Sequence, residues 1–190
     1  MASVVEIYNR ALQKVGAKRV VSVDENSNSA RACTACYESL RDAELTDHRW
    51  AFAIKRANLA ADSTAPEFGR ETSFTLPADC LRIIPPYPEM DNFDRDWVIE
   101  NGKILTNDSA PLYIRYIARI TDPNQMDATF REALSARMSF EMVEELTQSP
   151  GKKEALRQDY KDAIAKARKT SAIQSVPIVG VEDSWIAKRV

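Results

Sequence analysis

Apolar residues recur at helical spacing near the beginning of the chain. Ser3 followed by Glu6 predicts a helix N-terminus of the capping-box type, and Gly16 predicts its end. The polar run 24–29 supplies capping residues for a second helix. The predicted apolar stripes contain Val4, Ile7, Tyr8, Ala11 and Val15 in the first helix, and Ala30, Cys33, Tyr37, Leu40 and Glu44 in the second. Arg31, Glu38 and Arg41 lie off the second stripe, which predicts an exposed position for them. We expect Trp50, in the apolar run 50–54, to anchor this pair of helices in the core.

In the middle of the chain, apolar and polar residues alternate with a period of two, as is typical of β-strands. Asn101-Gly102 separates residues 97–100 from 103–106, and this dipeptide is typical of a two-residue type I′ hairpin. Residues 112–119 alternate and predict another strand, while 81–84 predict a shorter one that Pro85-Pro86 ends. The segment is therefore expected to form one small antiparallel meander.

Helical spacing returns after residues 121–123. Pro150-Gly151 is expected to break the chain between two long amphipathic helices, which favours antiparallel neighbours. The stripe of the first contains Met126, Phe130, Leu134, Met138, Met142 and Leu146, and that of the second Leu156, Tyr160, Ala163, Ile164 and Ala167. The last stretch is apolar but too broken for a helix, so we expect an extended arm.

These elements predict an α+β fold. Both chain ends contribute to an antiparallel α-helical bundle, with an inserted small antiparallel β meander and an extended C-terminal arm. The predicted boundaries are 1–72 and 121–172 for the two parts of the bundle, 73–120 for the β region and 173–190 for the arm. A chain of 190 residues can bury one sizeable core, which makes two separate domains the outer limit.

Composition excludes few functions but disfavours one. The net charge is −2, whereas a dedicated nucleic-acid-binding protein normally has a basic excess. A helical DNA-binding regulator is therefore a weak alternative, although a protein that only surrounds DNA remains compatible. The sequence shows no secretory signal and no run of about 20 apolar residues, which predicts a soluble protein without membrane contact.

Few residues suggest catalysis or metal binding. Cys33-x-x-Cys36 has the spacing of half a zinc site, with Cys80 and His48 as conceivable completions, but buried thiols explain the three cysteines better. His48 stands where a helix is expected to end, which favours a structural role. The acidic segment at Glu89, Asp91, Asp94 and Asp96 is expected to be solvated. We predict no catalytic, cofactor-binding or metal-binding residue, and no cofactor.

Two apolar features remain without a place in a single core. The arm has large hydrophobic side chains on a segment with no core of its own, and the meander must cover its edges and its second face. Packing on the same chain would satisfy both. Packing on a neighbouring copy would do so equally, and head-to-tail contacts of that kind close into rings.

Four strings, in their order along the chain, resemble the phage adaptor family called tail tubular protein A. They are Ser29-Ala-Arg-Ala-Cys33 with residues 37–45, His48-Arg-Trp-Ala-Phe-Ala-Ile-Lys-Arg56, Leu76-Pro-Ala-Asp-Cys-Leu-Arg82 and Pro111-Leu-Tyr-Ile-Arg-Tyr-Ile-Ala-Arg119. The likeness runs from about the first helix to Ser184-Trp185. None of the strings is a catalytic motif, so the resemblance rests on their combination.

The resemblance implies a helical bundle with an inserted β region, assembled as a ring whose expected form is a dodecamer. Such rings lie between the portal protein and the tail nozzle or tube of short-tailed phages, and DNA passes through them without sequence-specific binding. The head-completion adaptors of long-tailed phages are similar in outline and remain an alternative branch. The expected location is the virion head–tail junction, after assembly in the bacterial cytoplasm.

The same resemblance assigns roles to single residues. The family's tryptophan corresponds to Trp50, and its turn to Pro77, Ala78 and Asp79. In relatives the C-terminal tail reaches the portal, which implies a portal interface at Val176, Ile178, Val179, Val181, Trp185 and Ile186. The leading hypothesis is thus a structural adaptor and not an enzyme; the alternative is a virion-associated glycan hydrolase that uses a carboxylate pair.

Overall fold

The computed structural model describes residues 2–84, 97–147 and 149–174. In these parts of the chain the fold is α+β, as predicted, with helices on both sides of a β region. The helices are α1 Val4–Val15, α2 Asn28–Asp47, α3 Ala128–Thr147 and α4 Pro150–Gln174. The strands are β1 Ile54–Leu59, β2 Thr72–Thr75, β3 Cys80–Ile84, β4 Val98–Glu100, β5 Lys103–Thr106 and β6 Leu112–Ala118.

Helix α1 has the ends that its sequence predicts. The Ser3 Oγ accepts a hydrogen bond from the Glu6 backbone N–H at 3.1 Å, which satisfies one N–H of the first turn. Gly16 has a φ of +77°, the left-handed conformation that glycine adopts without strain at a helix end. A side-chain amide fastens the following loop, because Asn9 both donates to the Val20 carbonyl and accepts from the Val20 N–H.

Helix α3 lies at the centre of the helical region and contacts α1, α2 and α4. Its predicted stripe is buried, with Phe130, Leu134 and Met138 fully enclosed. Ser135 and Ser139 are also fully buried, and their hydroxyl groups donate to carbonyls of the preceding turn. Small side chains on this face let neighbouring helices approach closely, so α3 is enclosed on more sides than an amphipathic helix at a surface.

Contacts between side chains give the directions of the helices. Arg10 pairs with Glu132, and Val15 lies in one cluster with Val143, so α1 and α3 run in the same direction. Leu156 lies in that cluster too, whereas Tyr160 contacts Arg137, so α4 runs antiparallel to α3. Pro150 and Gly151, predicted to break the chain, instead form the first turn of α4, because proline at the start of a helix needs no hydrogen bond for its nitrogen.

Strand β6 is the central strand of the first sheet, sheet A, which has the order β1-β6-β3. All pairs in it are antiparallel, and Arg56 lies opposite Arg115 while Arg82 lies opposite Ile117. Strand β1 corrects the predicted boundary of the β region, because it belongs to residues 1–72, which were assigned to the helical part. Strand β6, the last strand before α3, pairs with β1, so the β region begins at residue 54.

The second sheet, sheet B, has the order β2-β5-β4. The predicted hairpin joins β4 and β5: Asn101 has a φ of +47° and Gly102 a φ of +71°, and Glu100 lies opposite Lys103. The predicted single meander is therefore wrong in its pairing. Two small sheets form, because β6 pairs with β1 and β3 rather than with the adjacent hairpin.

One hydrophobic cluster joins the helices to both sheets. It contains Trp50 and Phe130 of the helical region, Ile117 of sheet A, and Phe74 and Ile104 of sheet B. Trp50 packs edge-on against Phe130 with ring centroids 4.9 Å apart. Contiguous burial of this kind makes the helical and β regions one folding unit.

The burial of Arg41 and the C-terminal end of α4 also differ from what the sequence predicts. Arg41 was placed off the apolar stripe of α2, but it is buried, because its guanidinium lies over the Tyr37 ring and pairs with Asp42. Helix α4 extends to Gln174, two residues into the segment assigned to the arm. The rest of the predicted arm, including the proposed portal residues, lies outside the described residues. No helix in the described ranges is long and apolar enough to cross a membrane.

Candidate interaction surface

Trp50 and the turn at Pro77–Asp79 are the predicted structural residues that connect the helices to the β region. Trp50 is buried, and its indole N–H donates to the Glu44 carbonyl at 2.7 Å. The Cys80 N–H donates to the Pro77 carbonyl at 2.9 Å, which closes the turn before β3. These bonds position Trp50 in the core and bring Asp79 to the end of sheet A.

Asp79 does more than cap a turn. Its carboxylate accepts from the Lys55 Nζ at 2.8 Å and from the Tyr116 hydroxyl at 3.0 Å, so it joins the turn to β1 and β6. The hydrogen bond from Lys55 lowers the pKa of Asp79. Burial and the bond to Asp79 raise the pKa of Tyr116 to about 12. Both groups keep their ordinary charge states at neutral pH, which suits a structural contact.

Asp62 has the same kind of role at sheet B. Its carboxylate accepts from Lys103 at 2.8 Å, from the Ser73 hydroxyl at 2.8 Å and from the Thr75 hydroxyl at 2.9 Å. The bond from Lys103 contributes most to lowering the pKa of Asp62 to about 2. A carboxylate that is held ionised by several donors is a poor general acid, so this group fastens the loop after β1 to strands β2 and β5.

Glu44 is a buried carboxylate among three helices. It accepts from the Tyr160 hydroxyl at 2.5 Å, and Arg137 lies 3.5 Å away. Burial raises the pKa of Glu44, and burial together with Glu44 raises the pKa of Tyr160. A raised carboxyl pKa is typical of catalytic acids. Here, however, the carboxyl group is enclosed by α2, α3 and α4, which gives a substrate no access to it.

The cysteines are buried or half-buried thiols. Burial raises the pKa of Cys33 to about 12 and that of Cys36 to about 11, so neither thiol is a ready nucleophile at neutral pH. No group of three or more candidate ligand side chains lies close enough together for a metal ion within the parts of the chain that the structure describes. The acidic residues 89–96 lie outside these parts.

Large apolar side chains are exposed at several places. In the β region, Tyr113 on β6 is 66% exposed, Ile99 on β4 is 57% exposed, and Phe68 in the loop before β2 is 86% exposed. Ile173, at the end of α4, is 76% exposed. Ile99 belongs to the same cross-strand row as the buried Ile104 and Phe74, so the apolar face of sheet B continues to its open edge.

Arginines collect on one face of sheet A. Residues paired across antiparallel strands point to the same side, so Arg56, Arg115 and Arg82 share a face with Tyr113. We call Arg56, Arg82 and Arg115 the arginine face. Lys55, Tyr116 and the bound Asp79 lie on the opposite side. The sequence did not predict this cluster, since β1, which carries Arg56, was not predicted and the pairing of β3 with β6 is not visible in any local pattern.

The arginine face continues to the end of helix α2. Arg168 of α4 pairs with Asp47, and His48 follows at the C-terminus of α2. Burial, the charge of Arg168 and then the charge of Arg82 lower the pKa of His48. Arg168 of α4 and Arg82 of sheet A therefore both lie near enough to His48 to disfavour its protonated form.

Comparisons with other proteins provide no relative for these surfaces. The chain matches no protein-family model, and a search of curated proteins finds no match. Function must therefore be inferred from the exposed apolar side chains and from the arginine face themselves.

Proposed function

We propose that this chain is a structural adaptor of a tailed phage, which forms a ring between the portal and the tail nozzle or tube. The observation that carries the proposal is the exposure of Tyr113, Ile99, Phe68 and Ile173 in a chain that otherwise has a continuous buried core. Large exposed apolar patches on a folded protein usually mark places where another protein binds, and these side chains are the candidates for such places. A ring of identical copies, held at each end by different partners, accounts for more than one such place.

In the proposed assembly the helical bundle, in which α1 runs parallel to α3 and α4 runs antiparallel to it, builds the ring wall. The inserted β region meets the tail, and the arm at 173–190 docks on the portal. The order of strings that resembles tail tubular protein A supports this arrangement. Head-to-tail contacts between copies close into a ring when the rotation between neighbours divides a full turn, and a dodecamer is the expected copy number.

The glycan hydrolase alternative receives no support from the carboxylates described above. Asp62 and Asp79 are each bound to a lysine, and the Glu44 carboxyl group is enclosed between helices. Retaining and inverting mechanisms both need two accessible carboxyl groups facing one sugar. Incubation with peptidoglycan or capsular polysaccharide is expected to give no turnover, and turnover lost on Asp→Asn changes in residues 89–96 would favour the alternative.

Native mass spectrometry and negative-stain imaging of the chain with portal protein test the adaptor proposal directly. We expect closed rings, and we expect the double change Tyr113→Ser with Ile99→Ser to reduce them. Val21→Ser is the matched control, since Val21 is 90% exposed but lies in the loop between α1 and α2, outside the β region. Monomers alone in the presence of portal would contradict the proposal.

A further inference from the structure

The turn between β4 and β5 places a side-chain amide next to a backbone nitrogen that can react with it. Asn101 is the only asparagine of the chain that is followed by glycine. Both residues of the turn are exposed. A Cβ added to Gly102 would meet no atom within 4 Å from the described residues beyond its chain neighbours. The Gly102 nitrogen is therefore open to approach by a carbonyl carbon.

The peptide group that joins Asn101 to Gly102 is not fixed by a hydrogen bond. Among the described residues, neither the Asn101 carbonyl nor the Gly102 N–H has a hydrogen-bond partner, and the Asn101 side chain has none either. The next peptide group differs, because the Leu76 N–H donates to the Gly102 carbonyl at 3.0 Å. The turn is thus held on its β5 side, while the peptide group between its two central residues can rotate.

Asn26 is an exposed asparagine in which the corresponding groups are held. The N–H of Ser27, the next residue, donates to the Glu25 carbonyl at 2.9 Å. The Asn26 Oδ1 accepts a hydrogen bond from Arg31 at 2.8 Å. Both the backbone nitrogen and the side-chain amide therefore have other partners, which makes Asn26 an internal comparison for Asn101.

A ring that joins the Asn101 side chain to the Gly102 nitrogen requires one change in the backbone. A planar five-membered ring needs a ψ of about −120° at Asn101, the value at the first central position of a type II′ turn. The observed φ values of +47° and +71° are those of a type I′ turn. Rotation of the peptide group between them converts one two-residue turn into the other and keeps the hairpin register. Gly102 can adopt the negative φ that results.

We propose that Asn101 is a site of spontaneous deamidation through a cyclic succinimide. The Gly102 nitrogen gives its proton to water or hydroxide, and its electron pair forms a bond to the Asn101 Cγ. The bond from Cγ to Nδ2 then breaks, and Nδ2 takes up a proton and leaves as ammonia. The reaction is intramolecular, so the two groups are already close, and it needs no oxidant or enzyme.

Water opens the ring at either of its two carbonyl groups. Addition at Cγ gives aspartate at position 101, which a type I′ turn tolerates. Addition at the backbone carbonyl gives isoaspartate, in which the main chain runs through Cβ and Cγ and is one carbon longer. The inference does not depend on the adaptor proposal, since only the turn and solvent water take part.

The isoaspartate product does not fit the hairpin. A lengthened turn can no longer join Glu100 to Lys103 in the observed register. Strand β4 has only three residues, and β5 is its one neighbour in sheet B as described, so its pairing depends on this turn. We expect β4 to separate from β5, which removes Ile99 from its place opposite the buried Ile104.

Peptide mapping of the full chain after incubation at mildly acidic and mildly alkaline pH tests the inference. We expect aspartate and isoaspartate at position 101, formed at least about tenfold faster than at Asn26. The rate should rise several-fold for each unit of pH, because the attacking nitrogen must lose its proton. Methylation by an isoaspartyl carboxyl methyltransferase detects the isoaspartate, which direct hydrolysis of the side-chain amide does not produce.

The chain unfolded in urea is the positive control for the assay, because its backbone rotates freely at Asn101. An intact Asn101 in the folded chain, after a time in which the unfolded chain has reacted, would overturn the inference. Equal rates at Asn101 and Asn26, or aspartate without isoaspartate, would do the same.

Hydrogen exchange measured by mass spectrometry tests the consequence for sheet B. Exchange in residues 98–106 should become faster as isoaspartate accumulates in the unchanged chain. N101Q cannot close a five-membered ring, so its exchange should stay constant during the same incubation. Each protein is compared with its own fresh sample, which removes any direct effect of the substitution on the turn. Constant exchange in the unchanged chain despite isoaspartate would show that β4 keeps its pairing and would contradict this consequence.

Discussion

The helical region and the β region differ in how completely one copy covers its own apolar residues. Helix α3 is enclosed by α1, α2 and α4, and Phe130, Leu134 and Met138 are fully buried. In the β region, buried Phe74 and Ile104 share sheet B with Ile99, which is largely exposed. The helices thus complete a core within one copy, whereas small sheets of three strands leave faces and edges for a partner.

The same difference holds for charge. In the helical region, the buried carboxylate of Glu44 has Tyr160 and Arg137 as partners. On sheet A, Arg56 and Arg82 extend from a sheet face without a carboxylate partner in the described ranges. Buried charges must be paired to be tolerated, whereas exposed ones are free to bind other molecules. We infer that stability comes mainly from the helices and association mainly from the β region.

Trp50→Ala should have the largest effect on stability. The change removes the packing against Phe130 and Phe52 and the indole bond to the Glu44 carbonyl. We expect a loss of about 3 to 5 kcal/mol in the free energy of unfolding, measured by chemical denaturation. Trp50→Phe is the control, and it should retain a cooperative transition. A loss below about 1 kcal/mol for the alanine variant would show that the core does not depend on this contact.

Glu44 offers a smaller effect with a defined dependence on pH. Glu44→Ala leaves the Tyr160 hydroxyl group without its acceptor and should cost about 1 to 3 kcal/mol. Glu44→Gln keeps an acceptor and removes the buried charge. Since the folded state raises the pKa of Glu44, the protonated form is the one that folding favours.

The contribution of Glu44 is therefore fully present below its unfolded pKa and is lost as pH rises through its folded pKa. The free energy of unfolding of Glu44→Gln, relative to the unchanged chain, should increase from about pH 4 to about pH 7. Unfolding curves of both proteins across this range provide the measurement. A constant difference at every pH would mean that burial does not disfavour the charged carboxylate.

Asp62→Asn should have a smaller effect and the opposite pH dependence. The folded pKa of Asp62 is lowered to about 2, so its contribution is present above the unfolded pKa and is lost as pH falls toward 2. The variant should be less stable than the unchanged chain near neutral pH and should approach it in acid. Thermal unfolding at several pH values tests this, with Asp24→Asn, in an exposed loop position, as the control for charge removal. If the difference in stability between Asp62→Asn and the unchanged chain grew as pH fell, the lowered pKa of Asp62 would be contradicted.

Tyr113→Ser should change stability least and assembly most. Tyr113 is largely exposed, so we expect a change within about 0.5 kcal/mol in the free energy of unfolding. Ring formation with portal should nevertheless weaken. Denaturation and native mass spectrometry on the same sample compare the two effects. A large loss of stability would place Tyr113 in the core of a single copy and remove the contrast between the two regions.

Several local features were predictable, whereas strands β1 and β2 were not predicted. The α3 stripe, the ends of α1 and the Asn101-Gly102 hairpin follow from residues within a few positions of one another. Strand β1 was missed, although Arg56, Ala57, Asn58 and Leu59 alternate between polar and apolar, as a half-buried strand does. The preceding run Trp50–Ile54 resembles the end of a helical pair, and this obscured the short alternation.

The candidate surface was only partly predictable, for the same reason. Arg56 and Arg82 lie on different strands, and they share one face of sheet A because both strands pair with β6. The proposed portal residues from Val176 to Ile186 stay a prediction, since they lie outside the described residues. Exposure of Tyr113 could not be foreseen, because its strand alternates large side chains on both faces.

By itself the sequence determined the local elements of this protein: where α1 begins and ends, the turn at Asn101-Gly102, and the apolar stripe of α3. These depend on backbone conformation and on neighbours one or two turns away. Only the tertiary structure decided that β6 is central, that arginines from three strands share a face, and that Glu44 meets Tyr160. The last contact joins residues 116 positions apart, and such pairs depend on how whole elements pack, which no local pattern encodes.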